Sequence, residues 1–163
     1  MDNLTRTMDR FWRKVEKTPG CWNWMGGTLS GRYGGYSVVR DGKRAHEYAH
    51  RVAFEATYGP IPIGSVIDHK CHNTKCVNPE HLRAVSQKQN GENKTGPNVN
   101  NRSSGVRGVT WDKSRELWST QVMSNRRNYS AGRFADLGEA TRAVIALRTQ
   151  LHTCNDLDRL PAA

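Results

Sequence analysis

Residues 68–82 read DHKCHNTKCVNPEHL, and no other stretch limits the fold of this chain so tightly. Two thiols, Cys71 and Cys76, and the His81 imidazole supply three ligands within a run too polar to form a core of its own. A closed structural zinc site takes four such ligands. Cys21, flanked by Trp22 and Trp24, is the expected fourth, with His50 and His72 as alternatives. Zinc bound this way ties an early strand to a distant loop and substitutes for missing core. The need is real, because apolar residues make up 36% of the 163-residue chain, below the usual globular share. Small cores generally rely on a staple. The N-terminal residues read as no secretory leader, so the four cysteines are expected in a reducing compartment, as metal ligands or free thiols rather than disulfides.

A harder set of donors is interleaved with the soft one. Residues 65–69 are expected to form a strand and 82–85 its return strand, followed by a helix capped by Ser86 and carrying Asn90. This is a ββα unit. Asp68 and Asn90 offer a carboxylate and an amide oxygen, donors suited to Mg²⁺ or Mn²⁺ with other positions left to water and phosphate. His69, beside that ion but not on it, is placed to take a proton from an attacking water. Arg51, on the preceding helix, carries a planar guanidinium that suits a phosphate; a plain helix-surface arginine is the competing reading.

Upstream, residues 9–17 read as a short helix packing Phe11, Trp12 and Val15. Strands are expected at 21–25, 33–39 and 43–47, the last two joined by an Asp41-Gly42 turn. Residues 48–58 have helical spacing, and Gly59-Pro60 ends the helix.

The His-x-Cys-x4-Cys-x4-His-x8-Asn spacing from His69 to Asn90 resembles the His-Cys box homing endonucleases, a branch of the HNH or ββα-metal nucleases. The wider likeness runs over residues 10–94, through CWNW, the Tyr-x-x-Arg-Val segment and the Gly-Pro-Ile-Pro turn. It resembles the HNH group found in phage and mobile-element endonucleases. The resemblance implies His69 as general base and Asp68 and Asn90 as ligands of the catalytic ion. It also implies Cys71, Cys76 and His81, with Cys21, as zinc ligands, and products bearing a 5′ phosphate and a 3′ hydroxyl. The chain departs from ordinary HNH motifs at one place: His81 stands where the middle asparagine is usual, which leaves loop positioning to zinc, with Asn78 as a brace.

Residues 91–104 (GENKTGPNVNNRSS) are rich in Asn, Gly and Ser and read as a break between domains. The expected organisation is a nuclease domain at 1–94, a linker at 95–103, a second domain at 104–152 and a tail at 153–163. In the second domain, strands are expected at 106–111, 117–123 and 128–134, then a helix at 137–151 capped by Asp136, with Ala140, Ala143, Val144, Leu147 and Leu151 on one face. The fold class expected for the whole chain is α+β: a zinc-stapled ββα core plus a small three-stranded antiparallel sheet packed on one helix. The open face of that sheet is expected to present Arg107, Trp111, Arg115, Arg126, Arg127 and Arg133, while Trp118 can equally point inward.

The net charge of +10 favours a polyanionic partner. Through GVRGVTWDKSRELW, the GRF step and the alanine-bearing helix, residues 104–150 resemble the plant Apetala/ethylene-response-factor DNA-binding domain. That likeness implies a sheet laid in the major groove of double-stranded DNA. No apolar run approaches a membrane span, and the expected setting is soluble and cytoplasmic, the host cytoplasm for a phage protein. Monomer and homodimer stay open. The expected activity is metal-dependent DNA cleavage; the alternative is a DNA-binding regulator on an inactive nuclease scaffold. An RNA-directed nuclease is disfavoured, since the sheet lacks a base-stacking aromatic pattern.

Overall fold

The computed structural model describes residues 3–40, 42–99 and 101–160. The chain is α+β and divides into two compact units, Met1–Asn90 and Gly91–Ala163.

The first unit is built around aromatic rings. Helix α1 (Asn3–Trp12) delivers Phe11, fully buried, against Trp12, Trp24 and Tyr36, with ring centroids 4.8, 4.9 and 5.1 Å away. The helix ends earlier than the expected 9–17, because the chain turns there and β1 (Val15–Lys17) pairs antiparallel with β2 (Trp22–Trp24). Val15 sits opposite Trp24, and a β-branched residue beside an indole favours the ladder. Strands β3 (Thr28–Leu29), β4 (Tyr33–Arg40) and β5 (Lys43–Tyr48) form a three-stranded sheet in that order. Asp41 of the expected hairpin turn lies outside the described residues, while Gly42 has the positive φ (73°) such a turn requires.

Helix α2 (Ala49–Tyr58) buries Val52, Ala53 and Phe54 and stops at Gly59, whose φ of 87° no other residue adopts readily. Then β6 (Ser65–His69) pairs with β7 (Leu82–Ser86), setting Asp68 opposite Arg83 and His69 opposite Leu82. Helix α3 (Gln87–Glu92) follows directly, and the Ser86 hydroxyl accepts from Gln89 N at 3.2 Å at its start.

In the second unit β8 (Val109–Asp112), β9 (Leu117–Thr120) and β12 (Arg133–Phe134) form a sheet in the order β12-β9-β8. A separate ribbon joins β10 (Val122–Ser124) to β11 (Arg127–Tyr129). Helix α4 (Leu137–Leu151) buries Ala140 and Val144 against Val109 and Val122, and its Asp136 cap accepts from Glu139 N at 2.8 Å. The two long strands expected at 117–123 and 128–134 are each interrupted. Thr120 Oγ1 donates to Gly132 O and accepts from Ala131 N, and Gln121 N donates to Gly108 O, so local bonds displace the regular ladder. In the segment read as linker, Asn100 lies outside the described residues, while Asn101 donates to the carbonyls of Val106 and Val109. In the segment read as tail, residues 161–163 lie outside the described residues. The rest folds back: Asp158 takes both Nε and Nη2 of buried Arg148 at 2.7 Å, and Thr153 donates to Glu92.

Gly108 holds φ of 82°, and a Cβ there would lie 2.6 Å from the Gln121 carbonyl oxygen. Gly108→Ala is therefore expected to destabilise the second unit by roughly 2–4 kcal/mol, read as an earlier urea transition.

Candidate active site and metal centre

Four side chains converge on one point. The Sγ atoms of Cys21, Cys71 and Cys76 and a ring nitrogen of His81 all lie within 4.8 Å of one another. His81 Nδ1 is 3.7 Å from the Cys21 sulfur and 3.6 Å from that of Cys76. The backbone brings them there. Trp24 N donates to Lys75 O, Val77 N to Trp22 O and Lys70 N to His81 O, each within 2.9 Å, so the β6–β7 loop runs along β2 like an added strand. Asn78 braces the loop, donating to Gly20 O and accepting from Glu80 N. Of the alternatives for a fourth ligand, the cluster contains Cys21; His50 and His72 stand outside it.

The electrostatics of the cluster fit a cation. Its hydrogen bond to Cys76, then burial, pushes the Cys71 thiol up, while the same bond pulls Cys76 down. Three sulfurs and one imidazole this close together suit zinc.

Of the second set, His69 adjoins the cluster. His69 is buried, and its Nε2 lies 3.1 Å from the Cys76 carbonyl oxygen. A carbonyl only accepts, so Nε2 carries the proton and Nδ1 is the basic nitrogen. Burial holds the His69 pKa below the ordinary imidazole value, against the Cys76 carbonyl and Asp68, which raise it. Asp68 is also buried, and Arg83 grips its Oδ2 with Nε at 2.9 Å and Nη2 at 2.8 Å. Asn90 is half-buried on α3.

Residues 47–92 match the family model of an HNH endonuclease. Protein 3.8 of Escherichia phage T7 is 34% identical over 103 residues, covering 63% of this chain and 83% of that protein. The chain belongs to the family of Protein 3.8. Protein 7.7 and Protein 2.8 of the same phage are 42% and 41% identical over 72 and 71 residues, each 44% of this chain but only 52% and 46% of those proteins. No solved structure matches the chain.

The HNH segment contains more than the expected residues. His50, from α2, packs its ring 4.7 Å from that of His69, between Tyr33 and Tyr48 at 5.5 and 5.6 Å. Burial, then His69 and Arg51, holds His50 at a pKa of about 3, a neutral ring at working pH. Sequence reasoning weighed His50 only as a zinc ligand and passed over Arg83, whose position opposite Asp68 follows from the hairpin register. Arg51 lines an open cavity of about 300 Å³ with His46, Glu47, Tyr48 and Glu55.

In the second unit the structure shows where two of the expected residues lie. Arg107 is half-buried, and its guanidinium donates to the carbonyls of Glu92 and Lys94 at 2.9 Å and of Gly91 at 3.5 Å. It fastens the chain rather than facing outward. Trp111 lies opposite Trp118, and Trp118 opposite Phe134; Trp118 and Phe134 pack on the α4 core, while Trp111, 37% exposed, sets its ring 4.9 Å from that of Trp118. The other face carries Thr110, Asp112, Ser119 and Arg133, with Arg115 and Arg133 reaching Asp112 Oδ2 at 3.1 and 3.7 Å. Arg126 and Arg127 are exposed at the β10–β11 turn.

Cys21→Ser should lower bound zinc, read by mass spectrometry of metals, and lower the melting temperature. Cys154→Ser, a buried cysteine outside the cluster, should leave zinc content unchanged.

Proposed function

We propose that this protein is a divalent-metal-dependent DNA endonuclease in which the first unit cuts and the second grips the duplex. The observation that carries this reading is His69: buried, beside Asp68, its Nε2 tied to the Cys76 carbonyl and its Nδ1 left basic. An imidazole so oriented is a general base with its tautomer already chosen. Asp68 and Asn90 are the residues that would hold Mg²⁺ or Mn²⁺, and such an ion supplies charge stabilisation for the phosphate and the leaving 3′ oxygen. Arg83 orients the Asp68 carboxylate by gripping its Oδ2. His69 Nδ1 takes the proton of the attacking water, and Arg51 neutralises a phosphate oxygen. The products carry a 5′ phosphate and a 3′ hydroxyl.

Zinc held by Cys21, Cys71, Cys76 and His81 is structural in this reading, since all four positions of a tetrahedral ion are filled by protein. The HNH match and the phage relatives support a phage nuclease; homing type and action in the host cytoplasm are our reading from the sequence resemblance alone. The sequence resemblance of residues 104–150 to the Apetala/ethylene-response-factor domain, with the exposed Arg115, Arg126, Arg127 and Arg133, supports duplex binding by the second unit.

The test is cleavage of supercoiled plasmid and source-genome DNA by the zinc-loaded protein, with and without Mg²⁺, beside His69→Ala. Mg²⁺-dependent nicking or cutting that falls by about 10²–10⁴-fold in the variant is expected. Tight, salt-sensitive binding without cleavage of either DNA would make the protein a DNA-binding regulator instead.

A further inference from the structure

The β10–β11 ribbon closes through two residues, Asn125 and Arg126, between the paired Ser124 and Arg127. Both central residues have left-handed backbone, with φ of 50° and 63°. Positive φ at both places is the mark of a type I′ turn, whose usual sequence is Asn-Gly. Asn tolerates this conformation through its short polar side chain; arginine does not, and glycine would relax the strain. Strained backbone at an exposed position, where a relaxed residue would serve the fold better, points toward function.

The neighbouring charges sharpen the point. Arg115 and Arg133 bind Asp112, Arg148 binds Asp158, and Arg107 binds backbone carbonyls. Arg126 and Arg127 are exposed and have no carboxylate partner among the described residues. The base of the ribbon is anchored, since Val122 and Ser124 are buried, so the tip is held outward on a fixed support. Met123, 67% exposed, lies opposite Asn128 on the outer side.

We infer that the Asn125-Arg126-Arg127 tip is a phosphate-backbone anchor for duplex DNA, and that Arg126 is kept in a strained turn because its charge is needed there. The inference rests on the endonuclease reading above. Two adjacent guanidiniums on a narrow turn suit consecutive phosphates, and such contacts fix position without reading sequence.

The test compares Arg126→Gly and Arg126→Lys with the parent in the full-length, zinc-loaded chain. Binding to short duplexes is measured in a His69→Ala background so that the DNA stays uncut. Arg126→Gly should raise the melting temperature by a few degrees while weakening binding about 5–10-fold on every duplex, with a salt dependence shallower by about one phosphate contact. Arg126→Lys should retain most of the affinity and gain no stability. Unchanged affinity and salt slope in Arg126→Gly, with parent cleavage intact, would overturn this inference alone. A parent protein that neither binds nor cuts any duplex would overturn the endonuclease reading as well.

Discussion

Three sulfurs and an imidazole within 4.8 Å of one another are mutually repulsive as anions and poorly packed as neutral thiols. A divalent ion would resolve the conflict, and the backbone of the first unit converges on that point. Cys21 stands just before β2, Cys71 and Cys76 lie in the loop after β6, and His81 immediately precedes β7. Joining them fixes the path of a loop that has no apolar run of its own. The aromatic cluster of Phe11, Trp24 and Tyr36 then packs against one side of β2, while the β6–β7 loop lies along its edge.

The orientation of His69 follows from the same constraint. Its Nε2 lies against the carbonyl of Cys76, one of the four clustered residues, so the residue proposed as a zinc ligand also sets the histidine tautomer. Asn78 adds a second fastening by joining the loop to Gly20. The departure from ordinary HNH sequences at His81 thus has a physical counterpart: a residue of the Cys/His cluster, proposed as a zinc ligand, occupies the position where an asparagine is usual. His50 closes the other side of His69 with a ring kept neutral by burial.

Much of this was legible in the sequence because the signals were chemical and local. β6 and α4 run as read, and α2 starts one residue later, with Tyr48 as its cap. The four clustered ligands were recognisable as donor types at suitable spacing. What escaped depended on contacts between distant residues. Val15 suits either a helix face or a strand, and only its partner Trp24 decides. Thr120 and Gln121 break a strand through bonds to Gly132 and Gly108 that no local pattern signals. Arg107 looked like a nucleic-acid contact by charge, yet backbone carbonyls at 91, 92 and 94 hold it. The face of Trp111 depended on strand register, and a shift of one residue exchanges the two sides.

The Cys/His cluster is proposed to support the loop that carries His69's partner, and that dependence can be measured directly. Zinc would be withdrawn in steps by a zinc-selective chelator at saturating Mg²⁺, with zinc content and DNA cleavage followed in the same samples. Cleavage should fall in step with zinc and return when zinc is restored. Cleavage that persists at full rate after the zinc has gone would contradict the account.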